Sequence, residues 1–310
     1  MMEDLIQSPP GDARAHAQVV QTIAVPGSPN RLVMNRAGTR LYVASATASG
    51  SLTVLDTQPL SVLQTIENLG SPIWLAINPA GSRIYVSDNS AASGNPITVI
   101  ETVSNSVIAR ITGFTTVNGM ALNSTGTRLY VADHGASELV TIDTSDHQRV
   151  TEIPVRYAKE VIVAPRDDTR VYVVSDLAGW SIVDLENKPI VRQLAIAPGN
   201  PTSIGHSPRY PRIYITHRDA GRLTIGDALI PEVSKYISGL NEPWGVAFNP
   251  LSEMAYITER DQISIYDTRL ESMVGTIAGF GSPRGIVVAP DGRNLYVADI
   301  QNQSICMVRL

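Results

Sequence analysis

Residues 289–310, "APDGRNLYVADIQNQSICMVRL", end the chain on a phrase already written upstream as "NRAGTRLYVASAT" from Asn35, "NPAGSRIYVSDNS" from Asn78 and "NSTGTRLYVADHG" from Asn123. With the tyrosine as marker, weaker copies join these, giving Tyr42, Tyr85, Tyr130, Tyr172, Tyr214, Tyr256 and Tyr296, at intervals of 43, 45, 42, 42, 42 and 40 residues. A period of about 40–45 residues is the length of a four-stranded propeller blade.

Each unit has the same internal order. A proline stands thirteen residues before the tyrosine in five copies (Pro29, Pro72, Pro201, Pro243, Pro283), followed by a short apolar run such as "IWLAIN" or "WGVAFN". A turn comes next, with glycine four residues before the tyrosine at Gly38, Gly81, Gly126 and Gly292, then the tyrosine strand, a third strand such as "SLTVLD", and a fourth such as "SVLQTI". Short runs of Val, Ile, Leu, Tyr and Thr between turn residues are strands. The turn glycine suits a left-handed backbone; Asp168, Tyr210 and Ser252 replace it in the fourth to sixth copies, which predicts a different turn there.

The last copy stops after its third strand, and the missing fourth lies at the other end: "QVVQTIAVPGSP" (18–29) aligns with "SVLQTIENLGSP" (61–72). The expected fold is therefore all-β, a seven-bladed β-propeller of four-stranded blades. Gln18–Val25 pairs with Ser304–Arg309 to complete the last blade and close the ring, which ties up edges that an open array would expose. Residues 17–310 are expected to form a single propeller domain, and polar residues 1–16 are expected to be a flexible lead-in.

The phrases "LYVAS", "IYVSD" and "LYVAD", followed by "LTVLDT", "ITVIET" and "LVTIDT", resemble the YVTN family of β-propeller repeats, to which YncE-like proteins belong. The resemblance covers the chain after residue 17. It implies the fold strongly and the function weakly, since such propellers include enzymes, electron-transfer partners and binding scaffolds. The last blade also resembles NHL-type repeats, which implies a macromolecular partner.

Composition narrows the partners. A formal charge of −5, with no run of Lys and Arg interleaved with aromatics, disfavours nucleic acid. No segment approaches the roughly 20 apolar residues of a spanning helix, so no membrane partner is expected. The first residues lack a leader's basic start and apolar run. As written this places the protein in the cytoplasm, or in the periplasm or outside the cell if a leader has been removed. The single Cys306 lies in an apolar strand and reads as a buried thiol. There is no GxSxG, P-loop, GxGxxG after a strand, CxxC or HExxH.

Positions where the blades differ are the candidates for function. Twelve residues before each tyrosine, at the expected mouth of the central channel, stand Asn30, Ile73, Asn118, Glu160, Thr202, Trp244 and Arg284; the next position holds Arg31 and Trp74 in two blades and Gly119, Gly245 and Gly285 in three. Aromatic surface with a few distinct polar groups describes a small-molecule pocket, with Arg31, Trp74, Asn118, Trp244 and Arg284, and His134 on the rim, as ligand-binding candidates. The competing reading is a channel filled by these side chains, with Arg31 or Arg284 paired to Glu160.

Three residues after the tyrosine the chain reads Ser45, Asp88, Asp133, Ser175, His217, Glu259 and Asp299. Asp or Ser there accepts from backbone N–H groups of the turn. His217 and Glu259 depart from that pattern in neighbouring blades and, if they meet, form an acid–base pair. With Glu160 they are the catalytic candidates. Three functions follow: a non-catalytic propeller binding a small molecule or protein at the top face, where the channel mouth opens; a lyase- or lactonase-type enzyme in the same pocket; or, less favoured without a leader, anchor or second domain in the sequence, a cell-surface or secreted structural module. No cofactor is expected under the first, and a divalent metal is open under the second. Arg40, Arg83, Arg128, Arg170 and Arg212 recur two residues before the tyrosine and are expected to pair with Asp56, Glu101, Asp143, Asp184 and Asp227.

Overall fold

The seven repeats fold into seven four-stranded sheets, each with its strands paired to their neighbours in antiparallel fashion. The computed structural model describes residues 17–90, 94–165, 167–176, 179–185, 190–194, 199–230 and 232–310; the expected lead-in 1–16 lies outside them. Blade 1 runs from Ser28 to Glu67, blade 2 from Pro72 to Ile111, blade 3 from Val117 to Pro154 and blade 4 from Ala158 to Leu194. Blade 5 runs from Pro201 to Ser238, blade 6 from Val246 to Ile277, and blade 7 joins Pro283–Arg309 to Gln18–Ala24. The ring closes as the repeat phase requires: Gln18 pairs with Arg309 and Ala24 with Ser304. Val25 N–H extends the ladder to the Gln303 carbonyl at 2.9 Å.

The repeated phrase now has a cause. The tyrosine strand is sandwiched between two neighbouring blades, so both of its faces must be apolar, and alternate residues serve opposite neighbours. In blade 1, Leu41 and Val43 pack on blade 7 with Tyr296 and Ala298, whereas Tyr42 and Ala44 pack on blade 2 with Ile84 and Val86. The same rule places Ile84 and Val86 against blade 1 and Tyr85 against blade 3. Among the described residues, seven buried apolar clusters result, one at each blade interface. The outermost strands have one wet face, as the alternating exposure of Gln18–Ala24 shows. Cys306 is buried in this core, hydrogen-bonded by Thr22 Oγ1 at 3.7 Å.

The turn glycines also behave as expected. Gly38, Gly81, Gly126 and Gly292 have φ between 67° and 73°, and in blade 1 the Asn35 carboxamide accepts from Thr39 N–H (2.9 Å) and Arg40 N–H (3.0 Å) to hold the turn. Asp168, Tyr210 and Ser252 do not take positive φ, so those turns differ in geometry. The arginine ring pairs less uniformly than the spacing implied. Arg40 meets Asp56 at 2.8 Å and Arg128 meets Asp143, but Arg83 donates to the Thr144 carbonyl (3.0 Å) and Arg212 pairs with Glu271. A long side chain at a strand end reaches the nearest acceptor on either blade, which strand register alone does not choose. No helix among the described residues is long and apolar enough to cross a membrane.

Candidate functional site

The innermost strands converge on a cavity of about 210 Å3 at the channel mouth. Its apolar surface comes from Ile73, Trp74 and Trp244, and its neutral polar surface from Asn30, Asn118, Asn200 and Thr202; Arg31, Lys159, Arg218 and Glu160 supply the charges. Six of the seven residues at the expected mouth position line it. Arg284 does not, but its guanidinium carbon lies 4.1 Å from the ring centre of Trp244, which does.

The side chains gather because the blades approach closely near the axis. A Cβ on Gly119 would stand 2.7 Å from Glu160 Cα, and one on Gly285 2.6 Å from the Asn30 carbonyl oxygen. Hydrogen there is the only side chain that lets neighbouring backbones touch.

Arg31 crosses the channel. From blade 1 it lies over Trp74 (3.8 Å to the ring centre) and donates to the Thr202 carbonyl of blade 5 at 3.0 Å, with Glu160 of blade 4 at 3.7 Å. Trp74 is fixed in turn by its indole N–H, which donates to the Met120 carbonyl at 3.2 Å. The Arg31–Glu160 bar and the open cavity therefore share the channel, so the filled and the open readings each describe part of it. Glu160 is buried, and its other acceptor contacts are long: Ile204 N–H at 3.3 Å and Ser203 Oγ at 3.4 Å. Burial dominates over Arg31, and its carboxyl is pushed up to about 7.

The register corrects one expectation. In six blades the tyrosine faces the residue nine before it, as Val33 faces Tyr42 and Ala121 faces Tyr130, but in blade 4 Ile162 faces Tyr172, ten before. The turn "APRDDTRVY" is one residue longer than "NSTGTRLY". Lys159 therefore occupies the irregular position held by Asn118 in blade 3, and Glu160 sits one step along, level with Arg31 and Gly119. Counting back from the tyrosine overlooked Lys159 for that reason, although the longer turn was visible.

Lys159 ties the cavity to its rim. Its ammonium donates to Asp176 at 2.7 Å and Asn200 at 2.8 Å, and the other Asp176 oxygen is 3.0 Å from His134 Nε2. His134, outside the lining, thus reaches the cavity only through Asp176 and Lys159. Asn118 is held by Asn89 Nδ2 at 3.3 Å.

His217 and Glu259 are not brought together, and neither lines the cavity. Both are buried. His217 Nε2 is 2.9 Å from Thr224 Oγ1 on the adjacent strand, its Nδ1 has no partner, and burial, reinforced by Arg222, pushes its pKa down to about 4. Glu259 turns inward to accept from Asn241 N–H and Ser264 Oγ. That is the task of Asp88, which accepts from Ser71 and Ser90 N–H at 2.8 Å, and of Asp299, which accepts from Gly281 N–H at 2.7 Å. Among the described residues no three His, Cys, Asp or Glu side chains form a group able to hold a metal ion.

Solved structures share this architecture. Hydrazine synthase of Kuenenia stuttgartiensis superposes with a TM-score of 0.80 at 18% identity, covering 93% of this chain and 97% of that one. The β-propeller domain of Cps50 (Swd1) from Myceliophteria thermophila superposes at 0.79 with 13% identity, covering 95% of this chain and 99% of that one. At these identities the likeness shows the seven-bladed fold alone. No protein-family model matches the chain, and no curated protein matches its sequence.

Proposed function

We propose that this chain is a binding propeller of the YVTN-repeat, YncE-like kind, which captures a small molecule in the central top-face cavity without transforming it. The observation that carries this reading is the cavity itself: two tryptophans and Ile73 beside a small set of non-repeated amide, hydroxyl and charged groups. A volume of about 210 Å3 is that of about seven waters at about 30 Å3 each, which suits a small metabolite better than a peptide. A thermal-shift screen of sugars, lactones and organic acids tests it. A ligand at about 100 times its dissociation constant adds about 2.7 kcal/mol. Trp244→Ala and Trp74→Ala are expected to weaken capture at least tenfold while the ring still folds. Undiminished affinity in both variants would remove the cavity from the binding site.

A second reading, an enzyme of lyase or lactonase type, is favoured by one observation. Glu160, with its carboxyl pushed up to about 7, is placed in the cavity to give and take a proton near neutrality. If any screened compound is turned over, Glu160→Gln is expected to abolish turnover; retained turnover would exclude Glu160 as its acid or base.

A further inference from the structure

The charges around the cavity do not balance, and the imbalance falls on one residue. Arg31 faces Glu160 at 3.7 Å, Lys159 binds Asp176 at 2.7 Å, and Arg218 Nε donates to Asp219 at 2.8 Å. Arg284 has no ion pair and no side-chain hydrogen bond among the described residues, and its Nε is enclosed without an acceptor. The Nε itself has no room for a ligand, so an anion is met by the other two guanidinium nitrogens, which are not enclosed and have no partner among the described residues.

Arg284 is also held in an unfavourable field. Partial burial, then Arg218 and then Arg31, lower its pKa from the usual guanidinium range. It lies 4.1 Å from the centre of the Trp244 ring, which Arg218 shares at 5.3 Å. Two guanidinium groups on one indole repel each other and gain only weakly from the ring when solvated. An oxyanion on the open side of Arg284 would oppose its charge and relieve the repulsion, and the planar guanidinium donors match a carboxylate.

We propose that the cavity receives a small monocarboxylate on an apolar body, with Arg284 as the receiving charge and Trp244, Trp74 and Ile73 packing the body. This rests on the cavity being the binding site, and it names the ligand class. A single negative charge is specified because one guanidinium is left over: Glu160 already opposes Arg31, so a dianion would meet a carboxylate as well as a cation.

The test uses the whole chain and three probes, benzoate, benzamide and inorganic phosphate, titrated at pH 8 and followed by tryptophan fluorescence. Benzoate and benzamide match in shape and differ in charge. Benzoate is expected to bind at least tenfold tighter than benzamide and than phosphate. Arg284→Gln is expected to erase that preference, whereas Glu160→Gln, which removes the competing carboxylate, should strengthen benzoate binding several-fold. The two variants act in opposite directions, so misfolding of one cannot imitate the result. Equal binding of benzoate and benzamide, or an unchanged preference in Arg284→Gln, would overturn the anion inference and leave the cavity reading in place. Phosphate binding as tightly as benzoate would replace the organic acid by an inorganic anion. Silence of all three probes would overturn the inference, while the cavity reading stands or falls on the Trp74→Ala and Trp244→Ala variants in the wider screen.

Discussion

Glu160→Gln isolates the cost of keeping a carboxylate in the channel. The carboxyl is held at about 7 in the folded protein against an ordinary value of 4.5. Between those values the folded state retains a proton that the unfolded chain has lost, so stability falls as pH rises. At about 1.36 kcal/mol per pH unit of difference, the full cost is about 3 kcal/mol, of which about 2–3 kcal/mol develops between pH 5 and pH 8. For a chain of 310 residues, 1 kcal/mol moves Tm by about 1.5 °C. The wild type should therefore lose about 4 °C relative to the variant over that range. Glutamine is isosteric with the protonated acid, so the two proteins should coincide below about pH 4.5 and separate progressively from there to about pH 7, with the variant the more stable. Other titrating groups, including His217, are common to both proteins and cancel in the comparison. The assay is thermal unfolding of both proteins in matched buffers at steps across pH 5 to 8. Parallel curves would refute the reasoning, because they would mean that the carboxyl titrates in its ordinary range and is hydrated rather than enclosed beside Arg31.

Two further outcomes test the packing and the buried histidine. Gly119→Ala should destabilise by about 1–3 kcal/mol, because its Cβ meets backbone of blade 4 at 2.7 Å; Gly94→Ala, with nothing within 4 Å and only a φ of +75° to strain it, should cost about 1 kcal/mol, and equal losses in urea denaturation would contradict the close approach at the axis. His217, pushed down to about 4, should keep its neutral-ring NMR shifts from pH 8 to pH 5, its contribution to stability being lost as pH falls from about 6.5 through about 4; a midpoint near 6.5 would show the ring to be hydrated.

The fold was legible because one physical constraint is imposed seven times. A strand pressed between two blades must be apolar on both faces, and "LYVA" answers that demand wherever it occurs. The ring closure was legible too, since Gln18–Val25 carries the pattern of a fourth strand. The site was only partly legible. Counting along the inner strand reached Asn30, Asn118, Thr202 and Trp244, which line the cavity, because those residues differ from blade to blade at a point the fold brings to the axis. Lys159 escaped because one added residue in the blade 4 turn shifts the count. Arg218 and Asn200 escaped because the count stopped one residue short of each: Arg218 follows His217, Asn200 precedes Pro201, and the bond from Arg218 N–H to the Asn200 carbonyl (3.1 Å) repeats that from His134 N–H to the Thr116 carbonyl (2.8 Å). His217 and Glu259 occupy equivalent positions, as the spacing said, yet each turns into its own blade to satisfy Thr224 or Asn241 and Ser264. Whether two side chains meet depends on rotamers and nearby donors, which periodicity does not encode.

The seam in blade 7 has a consequence for how the molecule assembles. Six blades are built from segments contiguous in sequence, so each can form by local pairing. The seventh needs residues as far apart as Thr22 and Cys306, 284 positions along the chain. Bringing such ends together costs about 5 kcal/mol of chain entropy by the logarithmic loop law, and the contacts of Gln18–Ala24 repay it only when blades 1 and 7 are already neighbours. The seam is therefore the natural last step of folding and the first place for the circle to part under load. Because Gln18 lies beside Arg309, a short turn joining the two would make the circle covalent. New ends could then be cut in any exposed turn between blades, moving the weak point around the ring without altering a single blade.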